Sequence, residues 1–201
     1  MNPYLHLLSG IGPMVFWSFV LIAIMVSLCA AVIALRIPGR AFVITSAAAL
    51  AVAVLLVAIP HPPTTALVSA LIGVAALAVS VAGGGPVVLF VLAMASRGSV
   101  ADGAHGGILI EDKREQVPAS PHHVHEVLRG GTTIGVFERF ATTASIMAGF
   151  PEAIAVLVAI KGVGRFTELD AAEARERFII GTLVSLVWAC ACGAVFRLAL
   201  G

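Results

Sequence analysis

From Pro13 to Leu35 the chain carries no charged residue. As a helix rising 1.5 Å per residue, such a stretch is long enough to cross the roughly 30 Å of a bilayer's hydrocarbon core. Further apolar stretches follow at 41–59, from Ala66 to Gly83-Gly84-Gly85-Pro86, at 130–150 and after Arg177. A chain laid out in this way must solvate most of its side chains in lipid. The composition agrees, with 60% hydrophobic and 11% charged residues, against about 25% charged in soluble domains. A soluble fold of this length could not hide so much apolar surface. The expectation is therefore an all-α, polytopic transmembrane helix bundle of about six spans, with both termini outside, in the cell (inner) membrane.

Three regions are expected: N-terminal transmembrane helices at 1–96, a cytoplasmic loop with a short helix at 97–129, and a three-helix transmembrane module at 130–201. The first span lacks a basic leader and is too long for a secretory signal, so it reads as retained. Arg36-Ile37-Pro38-Gly39-Arg40 and Pro60-His61-Pro62-Pro63 are breaks on opposite faces. Gly83-Gly84-Gly85-Pro86 should break or kink the third span. The nine apolar residues that follow, Val87 to Ala95, are then either a kinked continuation or a short interfacial or re-entrant segment.

Within the polar loop, Ser120-Pro121 has the form of an N-cap with proline at the first helical position. Gly149-Phe150-Pro151 joins a C-cap glycine to a helix-starting proline, the pattern of a tight helical hairpin. The fifth span, Glu152 to about Phe166, is short, and Asp170-Ala-Ala-Glu173 forms a capping box for the last helix.

Orientation follows from the excess of basic residues in cytoplasmic loops. Arg36 and Arg40, then Arg97, Lys113, Arg114 and Arg129, then Lys161, Arg165, Arg175 and Arg177 fall on one side, against Arg197 on the other.

Glu138 and Arg139 lie within the fourth span, where an ionised group costs at least ~2.5 to 3.5 kcal/mol unless paired or wet. Adjacent residues project about 100° apart on a helix, so they do not satisfy each other. Counting equal rise on either side of the turn at 150–151 brings Glu138 to the depth of Lys161 and Arg165. Glu138 is expected to pair with one of these, leaving Arg139 to Glu168, Glu176 or a water-filled crevice, with Arg177 near the same cluster.

Gly131, Gly135, Glu138, Thr142, Ser145 and Gly149 make one face of the fourth span wholly small or polar. Ala155, Ala159 and Gly162 form a stripe on the fifth, and Gly181, Ser185, Ala189 and Gly193 one on the sixth. Small residues at this spacing let helix backbones approach closely.

Other chemistries find little support. The dispersed basic residues make no stripe for nucleic acid. His122, His123 and His125 match no zinc spacing and are weak candidates for a metal, and no cofactor is expected. Cys29, Cys190 and Cys192 read as small packing residues. No hydrolase nucleophile and base stand out, so the chain leans away from an enzyme.

At Gly130-Gly131-x-x-Ile134-Gly135-x-x-Glu138-Arg139, Lys161-Gly162-x-Gly164-Arg165-Phe166-x-Glu168-Leu169 and Glu176-Arg177-Phe178-Ile179-Ile180-Gly181-Thr182-x-x-Ser185, the chain resembles a family of uncharacterised bacterial integral membrane proteins, chiefly actinobacterial. The resemblance covers residues 129–190. It implies a bacterial inner-membrane helical module and no activity.

Two functions follow as expectations. The first is a non-enzymatic accessory module whose charged hairpin is structural or meets a membrane-protein partner or a second copy. The other is a small transporter, or an ion- or headgroup-binding protein, using a polar crevice in the C-terminal three helices. The lipid bilayer is the partner common to both.

Overall fold

A computed structural model describes residues 3–95, 101–102, 108–111, 124–127, 130–166 and 172–201, with side chains described from residue 11 outside the strands. Six helices are present among them: α1 (Pro3–Arg36), α2 (Arg40–Ala58), α3 (Ala66–Ala95), α4 (Gly131–Met147), α5 (Ala153–Gly164) and α6 (Ala172–Ala199). Four of these, α1, α2, α3 and α6, are long and apolar enough to cross a membrane. Their exposed faces carry large apolar side chains such as Phe19, Leu55, Val74 and Val187. That surface suits hydrocarbon and not water, the mark of a helical membrane protein.

The bundle is built on α1, α3 and α6. α3 packs most extensively on α6, α1 packs on both α2 and α3, and α4 lies in the groove between α3 and α6. A core of Trp17, Val20, Ile24, Leu50, Ala53, Val57, Ile72, Val79, Trp188, Cys192 and Val195 fills the centre. Of the three cysteines only Cys192 is buried, whereas Cys29 is exposed.

Between α1 and α2, Ser27 Oγ donates to the Ser46 carbonyl and Ser46 Oγ to the Ser27 carbonyl, each at 2.9 Å. At the turn between α2 and α3, His61 Nε2 lies 3.0 Å from the Leu198 carbonyl, with Phe16 stacked on its ring and Trp17 against its edge. Gly149, between α4 and α5, adjoins Arg197. The Trp17 region of α1, the His61 turn, the hairpin turn and the C-terminal end of α6 thus share one end of the bundle.

Three expectations change. First, α3 runs unbroken through Gly83-Gly84-Gly85-Pro86, which removes the re-entrant alternative for residues 87–95. The glycines serve close approach instead: a β-carbon on Gly83 would collide with Trp188, whose Nε1 donates to the Val79 carbonyl at 3.1 Å.

Second, α5 has only 12 residues and no buried one. It rises about 18 Å and cannot cross alone. Lys161-Gly162-Val163-Gly164-Arg165 explains the early stop, since two glycines weaken the helix between two cations.

Third, the polar loop contains an antiparallel sheet, β1 (Ala101–Asp102), β2 (Ile108–Glu111) and β3 (Val124–Val127), in that order. Ile108 pairs with Val127 and Glu111 with Val124. The expected short helix is replaced over 124–127 by a strand, in keeping with the β-branched residues of Ile108-Leu109-Ile110 and Val124 and Val127. Ser120, Pro121, His122, His123 and Asp170 lie outside the described residues, and of His125 only the backbone is described.

Candidate functional site: a charged cleft between α4, α5 and α6

Helix α4 ends in a Schellman motif. Gly149 adopts φ 73°, the Phe150 amide donates to the Ser145 carbonyl at 2.8 Å, and the Gly149 amide donates to the Ile146 carbonyl at 3.0 Å. This sharp stop folds α5 back along α4. Lys161 Nζ consequently reaches Glu138 Oε2 at 2.5 Å, with the two side chains 19% and 16% exposed. The same ammonium lies 5.6 Å from the ring centroid of Phe178 on α6.

Arg139 takes a direction that the acids of the last helix do not share. It is 6% exposed and points at α3. Its stem fills the space left by Gly84, and its guanidinium lies against Gly135. Pro86 has no N–H to return to the carbonyl of Ala82 one turn earlier, which loosens the hydrogen-bond ladder there. Nη2 of Arg139 donates to the adjacent Val81 carbonyl at 3.3 Å.

Among the described residues no carboxylate pairs with Arg139, and its Nε has no hydrogen-bond partner. Glu176 is exposed and lies nine residues before Ser185 on α6, about 13 Å along the axis and out of reach. Glu168 lies outside the described residues. Arg165 and Arg177 are half-buried and each makes contacts of its own.

Below Arg139, Thr143 knits three helices. Its Oγ1 donates to the Ala189 carbonyl at 3.1 Å and lies 2.6 Å from Ser80 Oγ. Ser80 Oγ in turn donates to the Arg139 carbonyl at 3.4 Å.

Beside this seam lies a cleft lined by Glu138, Arg139, Thr142, Lys161, Thr182 and Ser185, with Leu157, Val158 and Leu186 as its apolar wall. Its interior volume is ≈ 10 Å³, room for about one water molecule. Thr142 Oγ1 and Thr182 Oγ1, on two of the lining residues, are buried without a hydrogen-bond partner among the described residues. An orphaned hydroxyl costs of order 1 to 3 kcal/mol, so two of them beside one small space make a site prepared for a polar occupant.

The small residues divide. Gly135 accommodates Arg139, Gly181 contacts Val88 and Leu92, Gly193 lies against Ile146, and Ser185 is buried. Gly131 is exposed at the start of α4, and a β-carbon on Gly162 would meet nothing, so the expected α5 seam is not formed. Phe178, Thr182 and Ser185 recur at steps of four and three, a spacing that marks one face of α6 turned to the cluster. Ser80 and Gly84 on α3 carried no such periodic signal.

No protein-family model, curated protein or solved structure matches the chain. The class of molecule therefore rests on the fold and cleft alone: a helical membrane protein with an ionisable site at mid-bundle.

Proposed function

We propose that the protein is a multi-pass inner-membrane protein that binds a small ion in the α4–α5–α6 cleft. The single observation that carries this reading is that two residues with buried hydroxyls unpartnered among the described residues, Thr142 and Thr182, line one water-sized space beside three ionisable side chains. Ionisable groups at membrane depth mark ion or solute sites by default.

Depth supports the same reading. Arg177 and Arg197 on α6 lie twenty residues apart, about 30 Å, the thickness of the hydrocarbon core. Ser185 lies about 12 Å from the Arg177 level and about 18 Å from that of Arg197. Entering from the Arg197 end, α5 stops part-way across, near the cluster.

The accessory-module reading is favoured by a different observation. Glu138 and Lys161 are already paired, and the cleft has no room for a large solute. In that reading the hairpin is a register lock, and α5 meets a partner or a second copy.

The finer placement is also proposed. It comprises about six spans, of which the one that begins with α5 is the shortest in helix, with both termini outside and residues 97–129 in the cytoplasm. The grouping of residues 129–190 with bacterial inner-membrane modules is retained on the same footing.

Thiol labelling tests the cleft. With Cys29, Cys190 and Cys192 replaced by alanine, Thr182→Cys in intact membranes should react with silver ion in nitrate buffer, a thiol reagent small enough for a space of about one water. Protection of that cysteine alongside a reactive Arg197→Cys would reject a wet cleft and favour the accessory module.

A further inference from the structure

We infer that the occupant of the cleft is a small monovalent anion of the halide class. The inference rests on the ion-binding reading above and names the ion's sign and size. The lining carries two cations, Arg139 and Lys161, against one carboxylate, Glu138. Arginine and lysine can only donate hydrogen bonds, and Oε2 of the one carboxylate, Glu138, is engaged by Lys161 at 2.5 Å. Thr142 and Thr182 add two hydroxyls without a partner among the described residues. The lining is thus net positive, with unused donors.

A water molecule would satisfy the hydroxyls and leave the excess charge in place. A metal cation would add to that charge. An anion accepts from every free donor and neutralises the lining at once. Size then narrows the class, because a space of ≈ 10 Å³ holds about one water and suits a halide better than a phosphate or a lipid headgroup. Leu157, Val158 and Leu186 form an apolar flank that offers no competing hydration. Access is from the α4–α5 edge, where Glu138 and Lys161 keep 16% and 19% of their side-chain surface.

The test uses the whole chain in nanodiscs of zwitterionic lipid. Melting is followed in potassium chloride, bromide and gluconate at equal ionic strength, and in sodium against N-methylglucamine gluconate. Chloride and bromide should raise Tm saturably over gluconate, by roughly 3 to 10 °C at ten to a hundred times Kd. Thr142→Val, which keeps the side-chain shape and removes one donor, should abolish most of that shift while folding normally. Thr182→Val should do the same, and 35Cl line broadening should fall with both variants.

A halide shift that is equal in both variants and the unaltered protein would place the anion elsewhere and overturn the inference. A Thr142-dependent response to sodium, with none to halides, would overturn the anion while leaving the cleft an ion site. With no Thr142-dependent response to any ion and a protected Thr182→Cys, the inference and the underlying reading fall together.

Discussion

The side chain of Arg139 occupies the space that Gly84 leaves by having no β-carbon, so that a methyl group there would overlap its Cδ and Nε. Gly84→Ala should therefore push the buried arginine off the Val81 carbonyl and lower stability by about 1 to 3 kcal/mol. Gly85→Ala, whose β-carbon would meet nothing, is the matched control and should have little effect. Combining Gly84→Ala with Arg139→Ala should cost less than the sum of the single changes, because the clash vanishes with the arginine. Equal losses for Gly84→Ala and Gly85→Ala in thermal melts would remove this packing role.

The two small-residue stripes make a second contrast. A β-carbon on Gly193 would approach Ile146 Cβ to 2.8 Å, whereas one on Gly162 meets open space. Gly193→Ala should separate α4 from α6 and cost about 1 to 3 kcal/mol, while Gly162→Ala should leave the melting temperature unchanged. The reverse order would mean that α5, and not α6, holds α4 in place.

What was legible in the sequence follows from geometry along one hairpin. Gly149 and Pro151 announce the turn, and equal rise on both sides of it brings Glu138 to Lys161, a reading that needs no knowledge of other helices. Arg139 shows where that method ends. Its acceptor is a backbone carbonyl on α3, next to the one freed by Pro86, and every residue has a carbonyl, so side-chain identity carries no trace of the pairing. The triple glycine was legible as unusual, yet its use is set by Trp188 and Arg139 arriving from other helices. The length of α5 was legible as short. That none of its residues is fully buried follows from α4 packing mainly on α6 and α3.

Orientation gives a third prediction. The basic residues at the Arg36, Arg40 and Arg177 end outnumber Arg197 at the other, and the orientation proposed on that asymmetry has residues 97–129 in the cytoplasm. In a cysteine-free background, His105→Cys and Lys113→Cys should resist an impermeant maleimide added to intact cells, and Arg197→Cys should react. External labelling of position 105 or 113 would invert the arrangement.

The ion pair itself separates an ion site from a register lock. Glu138→Lys leaves three cations around one cleft, and Lys161→Glu leaves two carboxylates. Each should lower stability by about 1 to 3 kcal/mol, less than the ~3 to 5 kcal/mol of a fully dry pair, because both side chains keep some exposure. Exchanging the charges, Glu138→Lys with Lys161→Glu, restores attraction across the hairpin, and the coupled positions should recover most of the lost folding. An ion, however, meets donors fixed in place, and the exchange moves the ammonium from α5 to α4 while leaving Thr142 and Thr182 where they were. The doubly changed protein should then melt like the original in gluconate and lose the stabilisation that chloride gives. Full return of both properties would show that only the attraction between α4 and α5 matters, and would make the accessory module the better account of the hairpin.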